Sequence, residues 1–189
     1  MFRFQAFALR AAVVLLLLSS SHTVFGCGEE AALEVELRVT SDRGEGFDRL
    51  HRVRVYADSC VEVRRPPFHR APGEFSARVD AARLAPLRRR LSDPALRAID
   101  PQQAVQEAQS ALQARGKAQG ELRRTYISHA TGYVLRLGEG ADAVELKAES
   151  IFQQAELHPQ SEALALLAET VREVLALDAL PELGAGAAR

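Results

Sequence analysis

The chain has 189 residues, with 24 Lys+Arg against 25 Asp+Glu and a formal net charge of −1. That balance excludes the basic footprint by which a domain holds nucleic acid. The absence of tryptophan and an aromatic share of 6% leave too few rings for a sugar- or base-stacking surface.

Residues 1–26 read as an export signal. Arg3 and Arg10 give a positive start, residues 11–18 are an unbroken apolar run, and the small residue Gly26 precedes Cys27. The run is shorter than the roughly 20 residues that span a bilayer. Two processing routes follow. Val24-Phe25-Gly26-Cys27 resembles the bacterial lipobox, in which the cysteine is acylated and becomes the new N-terminus. Cys27 would then anchor the chain to membrane lipid in the bacterial cell envelope, and Gly28, in place of an aspartate, points to the outer membrane. This lipoprotein route is the first expectation. In the other, ordinary cleavage releases a periplasmic or secreted protein whose Cys27 thiol is free to pair with Cys60 in an oxidising compartment. The routes exclude each other, because a lipidated Cys27 cannot form a disulfide. Without Arg3 and Arg10 the chain carries 22 basic and 25 acidic residues.

After a tether at 27–32, Leu33, Val35, Leu37 and Val39 alternate with Glu34, Glu36, Arg38 and Thr40, which predicts a half-buried strand. A Gly-containing loop, 41–47, separates it from a second strand at 51–57, with Val53 and Val55 inward and Arg52 and Arg54 outward. Asp58-Ser59 sits where a hairpin turn belongs, and 60–65 returns as a third strand. Glu34, Glu36, Arg52, Arg54, Glu62 and Arg64 then share one solvated, salt-bridged face. Phe75, Ala77 and Val79 give a fourth strand, and Asp80 caps a helix over 81–91 that Pro86 should kink or shift. Arg88-Arg89-Arg90 resembles an anion patch, but on a helix the three side chains fan over about 200° and form no single cluster.

Residues 101–124 are a Gln/Ala-rich insertion. Its helix is predicted over 101–115, with a capping-box-like start at Asp100 and a stop at Gly116. Strands resume near Tyr126 and at 133–137 and 143–148, joined by the turn 138–142. A final amphipathic helix starts near Pro159 and carries Leu164, Leu167, Val171, Val174 and Leu175. Residues 178–189 read as a flexible tail. The expected fold is a single α+β domain, 33–177: an antiparallel sheet of about five or six strands with two or three amphipathic helices on one face.

The chemistry-bearing residues do not assemble in the sequence. His51, His69, His129 and His158 lack metal-ligand spacing, no CxxC or G-x-S-x-G motif occurs, and the 138–142 segment joins two strands rather than a strand and a helix. The expectation is therefore no catalytic residues, no metal, no cofactor and no enzyme. His51, His129 and Asp48 are the first places where a three-dimensional site would overturn it.

The stretch from Arg38 through Ser41-Asp-Arg-Gly-Glu-Gly-Phe47, followed by strand, Asp58-Ser59 turn and strand, resembles the opening of emfourin-type proteins, small bacterial inhibitors of thermolysin-like metalloproteases. The resemblance implies a sheet-and-helix architecture and a protein partner, with a protease as the implied one. The loop 41–47 is the candidate binding segment, with Arg43 and Phe47 as its leading side chains. The leading expectation is an accessory, protein-binding envelope protein with an unspecified partner, and the inhibitor is its alternative.

Overall fold

The computed structural model describes residues 31–41, 51–119 and 130–185. Four strands come first: Leu33–Ser41 (β1), His51–Tyr56 (β2), Cys60–Arg65 (β3) and Gly73–Arg78 (β4). Three helices follow: Ala81–Leu91 (α1), Pro94–Arg97 (α2) and Pro101–Gln119 (α3). Then come Thr131–Leu137 (β5), Val144–Glu149 (β6), Ile151–Leu157 (α4), Glu162–Ala176 (α5) and Pro181–Ala185 (α6). The six strands form one sheet in the order β4-β3-β2-β1-β5-β6, every pair antiparallel. This is the α+β architecture that the pattern of elements predicts. The three long helices correspond to the expected ones; α2, α4 and α6 are short additions.

Alternation explains why these segments form a sheet. The register places Phe75, Val63, Val53, Leu37, Leu135 and Leu146 side by side in one row across all six strands. A second row holds Ala77, Val61, Val55, Val35, Leu137 and Val144. The first row is at most 8% exposed, and the centre of the second, Val55 and Val35, is at 0%. Period-two β-branched and leucine residues thus give one continuous apolar face. A bulge between Leu33 and Val35 breaks the alternation at the start of β1. Glu34 therefore does not join the charged face as expected; it accepts two hydrogen bonds from Arg88 Nε of α1, at 2.8 and 3.1 Å.

The turn between β2 and β3 closes at Ser59, whose φ of 64° is left-handed. Its N–H donates to Tyr56 O at 3.0 Å, and Asp58 Oδ1 accepts from the Cys60 N–H at 3.1 Å. The aspartate side chain fixes a conformation more often met by glycine.

The helices cover the apolar face. α5 is the centre of that layer, burying Leu164, Leu167, Ala168, Val171 and Val174, with Ser161 as its cap. It therefore starts after Pro159, which lies in the preceding turn. Asp80 caps α1 by accepting from the Ala82 N–H at 2.9 Å. The helix then runs through Pro86 without interruption or a shifted start; Pro86 is exposed, so the carbonyl it leaves unpaired can be met by water. Asp100 Oδ1 caps α3 by accepting from the N–H groups of Gln102 and Gln103, both at 3.0 Å. α3 continues past Gly116 to Gln119, since a glycine inside a helix costs only about 1 kcal/mol. Ala104 and Ala108 of α3 are buried, while Ala111, on the same side of the helix, is exposed. Tyr126 lies outside the described residues.

The largest correction concerns the tail. Residues 178–185, expected to fray, pack back onto the domain: Leu183 is at 0% exposure and α6 lies against β4. Arg83 of α1 bonds Glu182 of α6 at 2.5 Å. Leu183 is fully buried, so Leu183→Ala should lower the unfolding free energy by about 2–5 kcal/mol, measured by urea denaturation; a loss below about 0.5 kcal/mol would restore the picture of a loose tail.

Candidate functional site

The face of the sheet opposite the helices is charged, and the register orders its charges into rows. One row runs Ser76, Glu62, Arg54, Glu36, Arg136, Glu145 from β4 to β6. From Glu62 onward its signs alternate. Arg54 Nε donates to Glu36 Oε2 at 2.6 Å and Arg54 Nη1 lies 4.0 Å from Glu62. Burial alone would lower the Arg54 guanidinium's pKa, but the bond to Glu36 and its charge outweigh burial and raise it. Glu36 is only 7% exposed despite facing this side, because Arg54 and Arg38 close over it. Tyr56 donates its hydroxyl to Glu62 at 2.8 Å. This half of the face is the salt-bridged surface that the alternation predicts.

The neighbouring row is different. It runs Glu74, Arg64, Arg52, Arg38, Val134, Lys147. Three arginines stand directly opposite one another on β3, β2 and β1. Arg38 leans out of its row to Glu145 at 2.8 Å, and Arg64 sits 3.5 Å from the exposed Glu74. Arg52, between them, makes no ion pair with a described residue.

At the β6 end this row meets a cleft of about 510 Å³. Val134 and Lys147 belong to both. Gln102, Val105 and Gln106 of α3 and Gln154 of α4 line the other side. Its floor depends on Gly132, where a Cβ would collide with Thr40 Oγ1.

A third polar group lies on the apolar face, where β2 begins and β3 ends near the C-terminal segment. Arg65 is 9% exposed; its Nε donates to Asp178 Oδ1 at 2.6 Å and its Nη2 to Asp178 O at 2.7 Å. Its guanidinium also lies 4.3 Å over the Phe75 ring. His51 Nε2 is 3.3 Å from Asp178 Oδ2, without the alignment of a hydrogen bond. Burial alone would raise the Asp178 carboxyl's pKa; the nearby donors of His51 and Arg65 outweigh burial and hold it below the ordinary value. An aspartate held against a histidine suggests an acid–base pair, but Arg65 holds both the carboxylate and the backbone carbonyl of Asp178, which makes the group a clasp for the tail. The sequence does carry a signal for it: Arg65 continues the inward positions of Val61 and Val63, a place where an unpaired arginine would be costly.

The remaining expected residues separate. Arg88 and Arg90 diverge, Arg88 to Glu34 and Arg90 to Glu169 and Glu173 of α5, so the arginine run is no cluster. His158 is 2% exposed, with Nδ1 unpartnered, and its burial lowers its pKa. Cys60 is 3% exposed and disulfide-bonded. Cys27, Arg43, Phe47, Asp48 and His129 lie outside the described residues. Among the described residues no group of three or more His, Cys, Asp or Glu side chains could hold a metal, and no helix is long and apolar enough to cross a membrane. No family model matches the chain, and no curated protein or solved structure does.

Two acid-sensitive groups follow from this geometry. The folded pKa of His158 lies below the ordinary imidazole value of 6.5, so below that pH the unfolded chain takes the proton more readily and stability falls. The folded pKa of Asp178 lies below the ordinary 3.8, so its contribution is present above that value and is lost as pH drops through the lower folded one. Asp178→Ala should leave Arg65 without its carboxylate and cost about 3 kcal/mol at neutral pH, the low end for a buried pair because Asp178 is 16% exposed. Urea unfolding across the acid range should show that the variant loses less than the wild type below about pH 4; equal losses in both would remove Asp178 from the acid response.

Proposed function

We propose that the chain is an exported cell-envelope protein whose folded part is a non-enzymatic, protein-binding domain closed by a Cys27–Cys60 disulfide. The observation that carries this reading is Cys60. It is disulfide-bonded, and the sequence holds one other cysteine, Cys27, directly behind the export signal. Alternation along β3 assigns Cys60 to the charged face, yet it is 3% exposed, as a covalently covered thiol would be. Disulfides persist in oxidising compartments, which agrees with the signal at 1–26. The same pairing takes the thiol that lipidation would need, so the geometry favours a periplasmic or secreted domain over the outer-membrane lipoprotein expected first.

Binding is supported by the open sheet face, whose charges are fixed in order by the strand register and which ends in a cleft beside α3. A flat polar face with an adjoining groove suits a protein surface better than a small buried substrate.

Intact-mass measurement of the protein recovered from the envelope tests the compartment and the bond together. The expected species starts at Cys27 and is lighter than its reduced form by two hydrogens. A mature Cys27 carrying acyl chains would replace this reading with the lipoprotein one. Closing a loop of roughly 33 residues should stabilise the fold by about 3–4 kcal/mol, so reduction, or Cys60→Ser, should shift the urea midpoint accordingly. An unchanged midpoint on reduction would show that the bond is absent.

A further inference from the structure

We propose that the arginine row on the open sheet face binds an extended acidic segment of a partner protein, laid across the strands with one end in the cleft beside α3. The argument starts from register. Arg64, Arg52 and Arg38 are directly opposite one another on three adjacent strands, and beyond Val134 the row continues to Lys147. Like charges directly opposite are destabilising in a sheet, and the adjacent row shows that this face can alternate its signs. The arginine row is therefore a departure from the pattern beside it. Arg52 has no ion pair among the described residues, while the side chains of Arg64 and Arg38 are 41% and 38% exposed.

The shape of the positive feature selects the ligand. It is one residue wide and crosses β3, β2, β1, β5 and β6, about 19 Å at the usual strand spacing. Carboxylates lie along one side of it and at one end: Glu62, Glu36 and Glu145 in the next row, and Glu74 at its β4 end. A flat anionic surface such as a membrane would meet those carboxylates together with the arginines. A narrow chain of carboxylates meets only the cations. Extended polypeptide covers the distance in about six residues, with every second side chain toward the sheet, and long arginine side chains can adjust to that spacing and grip each carboxylate through two N–H groups. Val134 and Lys147 belong to both row and cleft. A residue at the end of the segment therefore enters a space lined by Val105 and by the amides of Gln102, Gln106 and Gln154.

The inference rests on the protein-binding reading and names its surface. The test uses the oxidised mature protein and a fluorescent oligo-glutamate peptide, with a polyserine peptide and phosphatidylglycerol vesicles as the other arms. Arg52→Glu is the decisive variant. It places a carboxylate between Arg38 and Arg64, so it should hold or raise the melting temperature while weakening the glutamate peptide by about tenfold or more. Lys147→Glu should weaken it as well, and salt should weaken the wild type. If Arg52→Glu leaves peptide affinity unchanged, or if polyserine binds as well as polyglutamate, the row is a solvated face and the proposal fails. Binding to vesicles but not to the peptide also overturns it, in favour of a membrane. None of these failures bears on the outcome of the intact-mass test, so the surface and the compartment are judged separately.

Discussion

The fold depends on β1 being paired on both sides. It joins two hairpin systems that the chain makes far apart: the meander β2-β3-β4 on one edge and the β5-β6 hairpin on the other. Val35 and Leu37, its contributions to the two apolar rows, are at 0% exposure. A two-stranded β5-β6 hairpin would be marginal by itself; against β1 it gains seven register partners, from Val35↔Leu137 to Ser41↔Thr131. Such a contact carries a high loop-closure cost before it returns any burial. The helices 81–119 lie within that loop, so the α-layer and the second half of the sheet form around the same closure.

The same register that builds the core sets the charged face. Slipping any strand by one residue would turn its valines or leucines to solvent. The apolar rows therefore lock the order Arg64, Arg52, Arg38 as firmly as they lock Val63, Val53, Leu37. The repulsion among the arginines is tolerable because exposed charges are screened by water and salt, at a cost well below that of a register slip. Arg38 and Lys147 lean to Glu145 and Arg64 to Glu74, which leaves Arg52 as the cation of the row with no carboxylate among the described residues and open to one from outside.

Much of this was legible from alternation. The strands at 33–40, 51–57, 60–65, 133–137 and 143–148 and the core helix carrying Leu164 to Val174 follow from periods of two and 3.6, and the Asp80 and Asp100 caps from residue chemistry. Sheet order was not legible, because nothing local states that β5 joins β1 rather than β4. The arginine row was hidden for the same reason: Arg38, Arg52 and Arg64 are outward positions on separate strands, and only the pairing makes them neighbours. The tail was misread because Gly and Ala after Pro181 look like fraying composition. The deciding residues, Asp178 and Leu183, act through partners more than a hundred residues away in one case and through burial in the other. Pro86 and Gly116 show a different limit, since helix breakers lose to tertiary packing when the rest of the helix is well seated.

β3 also shows how such a sheet can be held against two kinds of stress. Its first residue, Cys60, is disulfide-bonded, and its last, Arg65, is clasped by Asp178. The two fastenings lie about 17 Å apart along the strand, beyond the distance at which perturbations usually couple. They also act on different quantities. A disulfide restricts the unfolded chain and responds to redox potential. The clasp is a folded-state ion pair that responds to acid through Asp178. Reduction and removal of the Asp178 carboxylate should therefore cost stability additively, with neither loss masking the other. Strong non-additivity would mean that opening one end of β3 frees the other, making the strand a single cooperative unit tied at both ends.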